Sequence, residues 1–258
     1  MLKKRIIPKF LFNNGRLVKG LKFHNNHREA GNPISTAKVY DSYGVDELIF
    51  LNIFPGDESK TQALGMIRSV SKDVFMPLTV GGGVNSLKDI HDLLQAGADK
   101  VSINTAALDN PSFINEAAKH FGSQCIVVSI DYKEVAPNVF RVFSHGGTTE
   151  KDFDPLVWSL KMQENNCGEI LLTSIDRDGT MEGYDLDMIK LVSHSLFVPV
   201  IASSGAGSLN DCMLALTAGA SAITISSMFF FTDHSPIKVR SFLRSSGIDV
   251  RASKSSRN

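Results

Sequence analysis

The sequence predicts a (β/α)₈ barrel assembled from two similar half-barrels. Two observations carry this: eight short apolar runs, each followed by a longer stretch with helical punctuation, and motifs that recur 122 residues apart. The runs are Arg5–Ile7, Glu47–Ile53, Pro77–Val80, Lys100–Ile103, Ile126–Ile130, Glu169–Thr173, Val198–Ala202 and Ala222–Ser226. Short runs rich in Val and Ile suit strands buried on both faces, as in a parallel sheet. Strand-then-helix, eight times over, reads as a closed barrel over residues 1–250, with a disordered polar tail over 251–258.

Between the runs, Asn32-Pro33, Asn110-Pro111 and Ser235-Pro236 place a capping side chain before a proline at the first helical position. Ser86 and Ser208 are candidate caps of two further helices, which Gly97 and Gly219 would end.

The repeat keeps one register. Pro77 and Pro199, Ala96 and Ala218, and Glu47 and Glu169 are all separated by 122 positions. Chance Gly and Pro matches would not align helix stops, turns and a charged strand start together.

Composition narrows the function. The chain has 258 residues, 43 % hydrophobic and 21 % charged, which suits a soluble protein with a sizeable core. Its 27 basic residues balance 27 acidic ones, so no global field draws nucleic acid. No segment reaches the roughly 18 apolar residues of a membrane span, and a cytoplasmic location is expected. Cys125, Cys167 and Cys212 are odd in number and far apart, which fits neither a disulfide framework nor a C-x-x-C metal site. The seven histidines are scattered, and neither a metal nor a cofactor is implied.

The repeat sets the same device on both sides of the barrel. Strand 3 runs into Gly81-Gly82-Gly83 beside Asn104-Thr105, and strand 7 runs into Ser204-Gly205 beside Ser226-Ser227. Glycines let backbone N–H groups converge on one point, and neighbouring hydroxyls and amides complete an anion site. Tight turns also need glycine, but two equivalent copies point to two phosphate cradles and hence to a doubly phosphorylated substrate.

At the other end, Arg5, Glu47, Lys100 and Glu169 each open a strand, so the four would ring the bottom of the barrel. Residues on that face usually serve stability, here as a plug of mutually satisfied charges.

Several motifs carry a family resemblance: Lys4-Arg5-Ile6-Ile7-Pro8, Asp46-Glu47-Leu48, Thr79-Val80-Gly81-Gly82-Gly83, Ala98 to Ala106, Phe121-Gly122-Ser123-Gln124, and Gly168 to Thr180 with its Ser-Ile-Asp-Arg-Asp-Gly-Thr. Together they resemble the cyclase subunit of imidazole glycerol phosphate synthase from about Met1 to Val250. That family pairs a (β/α)₈ barrel with a separate glutaminase subunit in a heterodimer; the glutaminase releases ammonia, and the barrel conducts it to a bisphosphorylated substrate at the opposite face.

The resemblance implies roles for matching positions. Asp131 aligns with a catalytic aspartate, the general acid. Lys19 falls in a long loop after strand 1 that folds over substrate and is implied to act in catalysis. Gly82, Gly83, Asn104 and Thr105 bind one phosphate; Asp178, Gly179, Gly205, Ser226 and Ser227 flank the other. Arg5, Glu47, Lys100 and Glu169 become an ammonia gate, and Asp99 contacts the glutaminase.

The second catalytic carboxylate of the family is absent. Lys9-Phe10-Leu11 stands where a Cys-Leu-Asp-type motif is expected, so leucine replaces the base. Asn52 stands for an acidic residue, Ser204 for a glycine, and His145-Gly146-Gly147 for a segment that normally holds serine. These changes favour a divergent paralogue that takes ammonia from a glutaminase-like partner. Some relatives with the same loss are associated with converting acetamido to acetamidino groups on surface-polysaccharide sugars. The histidine-pathway cyclase is the alternative on the same scaffold, and a catalytically silent activator of the glutaminase is the alternative of another class. The isomerase of the same pathway fits the floor ring and the strand 6 motif less well.

Overall fold

A computed structural model describes residues 3–24, 27–54 and 56–251. The chain opens with β1 (Arg5–Asn13), β2 (Arg16–Lys19), β3 (Arg28–Gly31) and α1 (Pro33–Ser42). It continues through β4 (Leu48–Asn52), α2 (Asp57–Val70), β5 (Leu78–Gly81), α3 (Leu87–Gln95), β6 (Lys100–Ile103), α4 (Thr105–Asp109) and α5 (Ser112–Phe121). The second half repeats the plan: β7 (Ile126–Ala136), β8 (Val139–Ser144), β9 (Thr149–Lys151) and α6 (Pro155–Glu164), then β10 (Glu169–Ser174), α7 (Leu186–Ser195) and β11 (Val200–Ser203). It ends with α8 (Leu209–Thr217), β12 (Ala222–Ile225), α9 (Ser227–Phe231) and α10 (Pro236–Ser245).

Eight strands pair in parallel in the order β1-β4-β5-β6-β7-β10-β11-β12, and β12 pairs back onto β1 to close the barrel. This is the (β/α)₈ barrel that the apolar runs predict. Alternation along each strand sorts side chains inward and outward. Outward residues such as Phe10, Phe50, Ile170 and Ile223 pack against the helices in the main core. Inward residues Ile7, Ile49, Val127, Leu171, Ile201 and Ala222 form a separate apolar layer across the barrel axis.

The half-barrel repeat is visible in local geometry. Ser86 and Ser208 both cap helices, accepting from the N–H groups of Asp89 and Asp211. Gly97 and Gly219 follow those helices at φ 112° and 120°, the left-handed backbone of a helix stop. Asn32 and Ser235 also cap as expected. Asn110 does not: its side chain accepts from the Ser112 hydroxyl, and Pro111 itself takes the N-cap position of α5.

Two hairpins extend beyond the eight-strand plan. β1 runs on through Pro8 to Asn13 and folds back onto β2, with Phe12 opposite Leu17 and Asn13 opposite Arg16. The connecting Asn14-Gly15 takes φ 44° and 78°, the two positive values a tight primed hairpin turn requires. Lys19 therefore sits on a strand, paired with Arg28 of β3, and not in an open loop. β7 likewise continues past Asp131 and pairs with β8. Arg251 closes the described chain, so the remainder of the tail lies outside it. Among the described residues no helix is long and apolar enough to cross a membrane.

Candidate active site at the barrel mouth

Asp131 ends the inward face of β7 at the C-terminal mouth of the barrel. Its Oδ2 accepts from Asn104 Nδ2 at 2.7 Å and its Oδ1 from Ser129 Oγ at 3.2 Å. Desolvation raises its pKa to about 6, against the pull of Lys9 and both hydrogen bonds, with Asp178 adding a further push upward. A carboxyl near 6 can hold or release a proton close to neutral pH, which suits general acid–base work.

Register identifies the partner position. Asp131 lies opposite Thr173, and Leu11 lies opposite Leu51. Leu51 and Thr173 are 122 residues apart, so Leu11 is the half-barrel equivalent of Asp131. Leu11 faces inward, only 9 % exposed. One inward step below it, Lys9 points into the barrel, 3 % exposed, and donates to Ser203 Oγ at 2.7 Å. Lys9 was not among the sequence-derived site residues. The two-residue alternation Ile7, Lys9, Leu11 is the signal that puts it in the pocket.

The two glycine-rich turns adopt matching backbones. Gly82 and Gly83 take φ 102° and 72°; Ser204 and Gly205 take φ 81° and 106°. A Cβ on Gly82 would lie 1.9 Å from the Asn52 carbonyl oxygen, and one on Gly205 2.1 Å from that of Gly183, so both turns are pressed against neighbouring backbone. Asn104 and Ser226 precede α4 and α9 with the same ψ of −81°. The two half-sites differ in their side chains. At the first, Thr105 Oγ1 accepts from the His145 N–H at 3.1 Å. At the second, Ser226 Oγ donates to the Lys9 carbonyl at 2.6 Å, and Ser227 is buried.

A cavity opens at the second turn, lined by Lys9, Lys19, Asp178, Gly179, Ser204, Gly205, Ser226 and Ser227 among others. Asp178 accepts from Ser204 Oγ at 3.1 Å, while its other oxygen is buried without a hydrogen-bond partner. The N–H of Lys22 donates to the Asp178 carbonyl at 2.8 Å, which holds the segment after β2 against the Asp178–Gly179 turn. Lys19 is 3 % exposed, and burial lowers its pKa to about 8, with Asp178 opposing and Lys9 reinforcing the drop. Of the changed residues, Asn52 stands apart from this chemistry. Its side chain accepts from Ser59 Oγ at 3.0 Å, turned towards α2 behind the first turn.

At the opposite end the four charged strand starts form a closed ring. Arg5 reaches Glu47 at 2.8 Å and Glu169 at 3.0 Å; Lys100 reaches the same two carboxylates at 2.8 and 3.0 Å. Thr79 Oγ1 adds a bond to Glu47 at 2.6 Å. Above the ring lies the apolar layer of Ile7, Ile49, Val127, Leu171, Ile201 and Ala222, and above that the polar mouth. Asp99 is exposed near the ring, and its carboxylate accepts from the Leu78 N–H at 2.8 Å.

The three cysteines are free, and burial pushes the Cys167 and Cys212 thiols up to about 12, which leaves them protonated and inert at neutral pH. A barrel with duplicated turns, an aspartate at the mouth and a charged floor agrees with the comparison to known families. The model for the histidine biosynthesis protein family matches residues 5–235, and the chain belongs to that family of barrel enzymes.

Proposed function

We propose that this barrel is an ammonia-dependent synthase subunit that acts on a phosphorylated substrate in a reaction other than the histidine-pathway cyclisation. The equivalence of Leu11 and Asp131 carries the reading: of two positions that correspond in the repeat, one bears a titratable carboxyl and the other a hydrocarbon. A cyclase that shares acid–base work between two carboxylates has one left here. The turns at Gly82-Gly83 and Gly205 are the phosphate cradles, and Asp131 lies between them. Conversion of acetamido to acetamidino groups on surface-polysaccharide sugars is the reaction we favour.

Ammonia enters from a glutaminase partner that docks on the floor around Asp99. The ring of Arg5, Glu47, Lys100 and Glu169 is its gate, and Lys19 acts at the covered second cradle. A neutral molecule as small as ammonia can cross the apolar layer, whereas ammonium is disfavoured there. The test is turnover of the purified barrel with ammonium salt and the histidine-pathway substrate. A rate within tenfold of an ordinary cyclase restores the histidine assignment; no ammonia-dependent turnover with that substrate or with acetamido sugars leaves a silent scaffold.

A further inference from the structure

We infer that Lys9 is an anion-binding residue of the second cradle, which therefore carries two ammonium groups and takes a dianionic phosphate ester. This rests on reading that cradle as a phosphate site and adds the residue that sets the charge it accepts. Lys9 and Lys19 reach the cavity from different strands, β1 and β2, and both line it beside Gly205 and Ser226. Each is 3 % exposed. Buried ammonium groups are ordinarily paired, because removing an ion from water is costly unless a counter-charge replaces the solvent.

Here the pairing is incomplete. Lys9 has one side-chain hydrogen bond, to the neutral hydroxyl of Ser203, and neither lysine forms an ion pair among the described residues. Among the described residues Asp178 is the single acidic one lining the cavity, and one of its oxygens is already taken by Ser204. Within the cavity two lysines face one lining carboxylate beside the Ser204–Gly205 turn, and the next counter-charge to Lys9 is Asp131, which lies outside the lining. An incoming phosphate supplies the missing counter-charge and relieves the repulsion between the two lysines. The first cradle offers no such pair: Gly82, Gly83, Asn104 and Thr105 are all uncharged. The two turns are alike in backbone, and the two lysines adjoin the second.

The position also explains the geometry around it. Ser226 Oγ donates to the Lys9 carbonyl, and Ser203 directly precedes the second turn, so both neighbours of the cradle hold β1 at this one residue. A side chain placed for structure alone would not need to end in an ammonium group among hydroxyls.

The experiment uses inorganic phosphate on the full chain, by calorimetric titration and by crystallography, with Lys9→Met as the variant. Methionine keeps the length and removes the charge, and a thermal melt checks that the variant folds. Expected are phosphate at Gly205 with an oxygen in hydrogen-bond distance of Lys9 Nζ, and an affinity at that site about ten- to a hundredfold lower in Lys9→Met. Phosphate at Gly205 with Lys9 still on Ser203 alone, or unchanged affinity in the variant, overturns the role of Lys9 and leaves the phosphate site standing. No phosphate at either cradle overturns the cradle reading itself. Should Lys9→Met fail to fold, the wild-type crystal with phosphate decides by the same distance.

Discussion

Ser204 holds, at φ 81°, the left-handed backbone that its repeat partner Gly82 holds at φ 102°. A residue with a Cβ costs about 1–3 kcal/mol in that region and persists where its surroundings demand it. Ser204 is retained by its hydroxyl, which donates to Asp178 in a place where the other Asp178 oxygen has no partner. Ser204→Ala keeps the backbone cost and strips the bond, so we expect a loss of about 1–3 kcal/mol. Ser204→Gly loses the same bond but relieves the backbone, and should be less damaging than alanine by about 1 kcal/mol. Urea melts of the two variants compare them directly. Equal losses would mean that the left-handed turn stores no strain.

The environment of Asp131 makes stability depend on pH. Its pKa in the folded chain is raised from the ordinary carboxylate range to about 6, chiefly by burial. A raised pKa contributes stability that is fully present below the unfolded value and is lost as pH rises through the folded one. Wild type should therefore lose stability relative to Asp131→Asn between about pH 4 and pH 6, and stay at the lower level above that. Asparagine keeps a carbonyl acceptor for Asn104 and cannot ionise. Thermal melts from pH 4 to pH 8 read the difference, and a wild type that gains stability relative to Asp131→Asn as pH rises would contradict the assigned shift.

The floor ring should be worth far more than a surface pair. Lys100 bridges Glu47 and Glu169, whose side chains are 2 % and 14 % exposed. Lys100→Met leaves both carboxylates to Arg5 and should cost about 2–4 kcal/mol. Lys60, paired with Asp89 at the surface, is the control, and Lys60→Met should cost under about 1 kcal/mol. Equal costs in parallel denaturation curves would show that the four charges do not act as a closed unit.

Asp99 needs a two-variant design if it meets a partner. Its carboxylate also accepts from the Leu78 N–H, so Asp99→Lys should cost about 1 kcal/mol of stability in addition to any effect on binding. Asp99→Asn keeps an acceptor and removes only the charge. Weakened association with a candidate glutaminase in both variants, measured by sedimentation, supports the floor as interface. Weakening in Asp99→Lys alone points to disturbed folding of β5.

Much of this was legible in the sequence because it repeats. Local punctuation marks the caps Ser86 and Ser208 and the stops Gly97 and Gly219, and the 122-residue register marks both turns, since each depends on one local residue type in a fixed backbone. The charged strand starts also read out, because strand direction alone sends them to one end. The hairpin through Asn14-Gly15 lies beyond the predicted run Arg5–Ile7, because Pro8 and Lys9 interrupt the apolar pattern while the strand itself continues to Asn13. A lysine inside a barrel looks like a strand end until pairing shows Ile7, Lys9 and Leu11 on one face. Asn52 shows the converse limit. It sits at the end of a strand near the pocket, but its alternation turns it out towards Ser59, which only pairing reveals.

Restoring a carboxylate at position 11 should restore part of the cyclase chemistry. Leu11 already faces inward, opposite Leu51, at the place where Asp131 stands opposite Thr173 in the other half. General-base assistance is typically worth about 10²–10⁴ in rate, or roughly 3–5 kcal/mol of transition-state stabilisation. An aspartate there would also lie one inward step above Lys9, whose ammonium would hold it ionised and ready to accept a proton. With ammonium salt and the histidine-pathway substrate, we expect a near-zero wild-type rate that rises about a hundredfold or more in Leu11→Asp. Adding Asp131→Asn should abolish the gain, because the repaired pair needs both carboxyls. A gain that survives Asp131→Asn would mean that position 11 acts without its repeat partner. No gain in a folded Leu11→Asp that still binds phosphate would place the divergence elsewhere in the mouth, with Lys9 the first residue to revert.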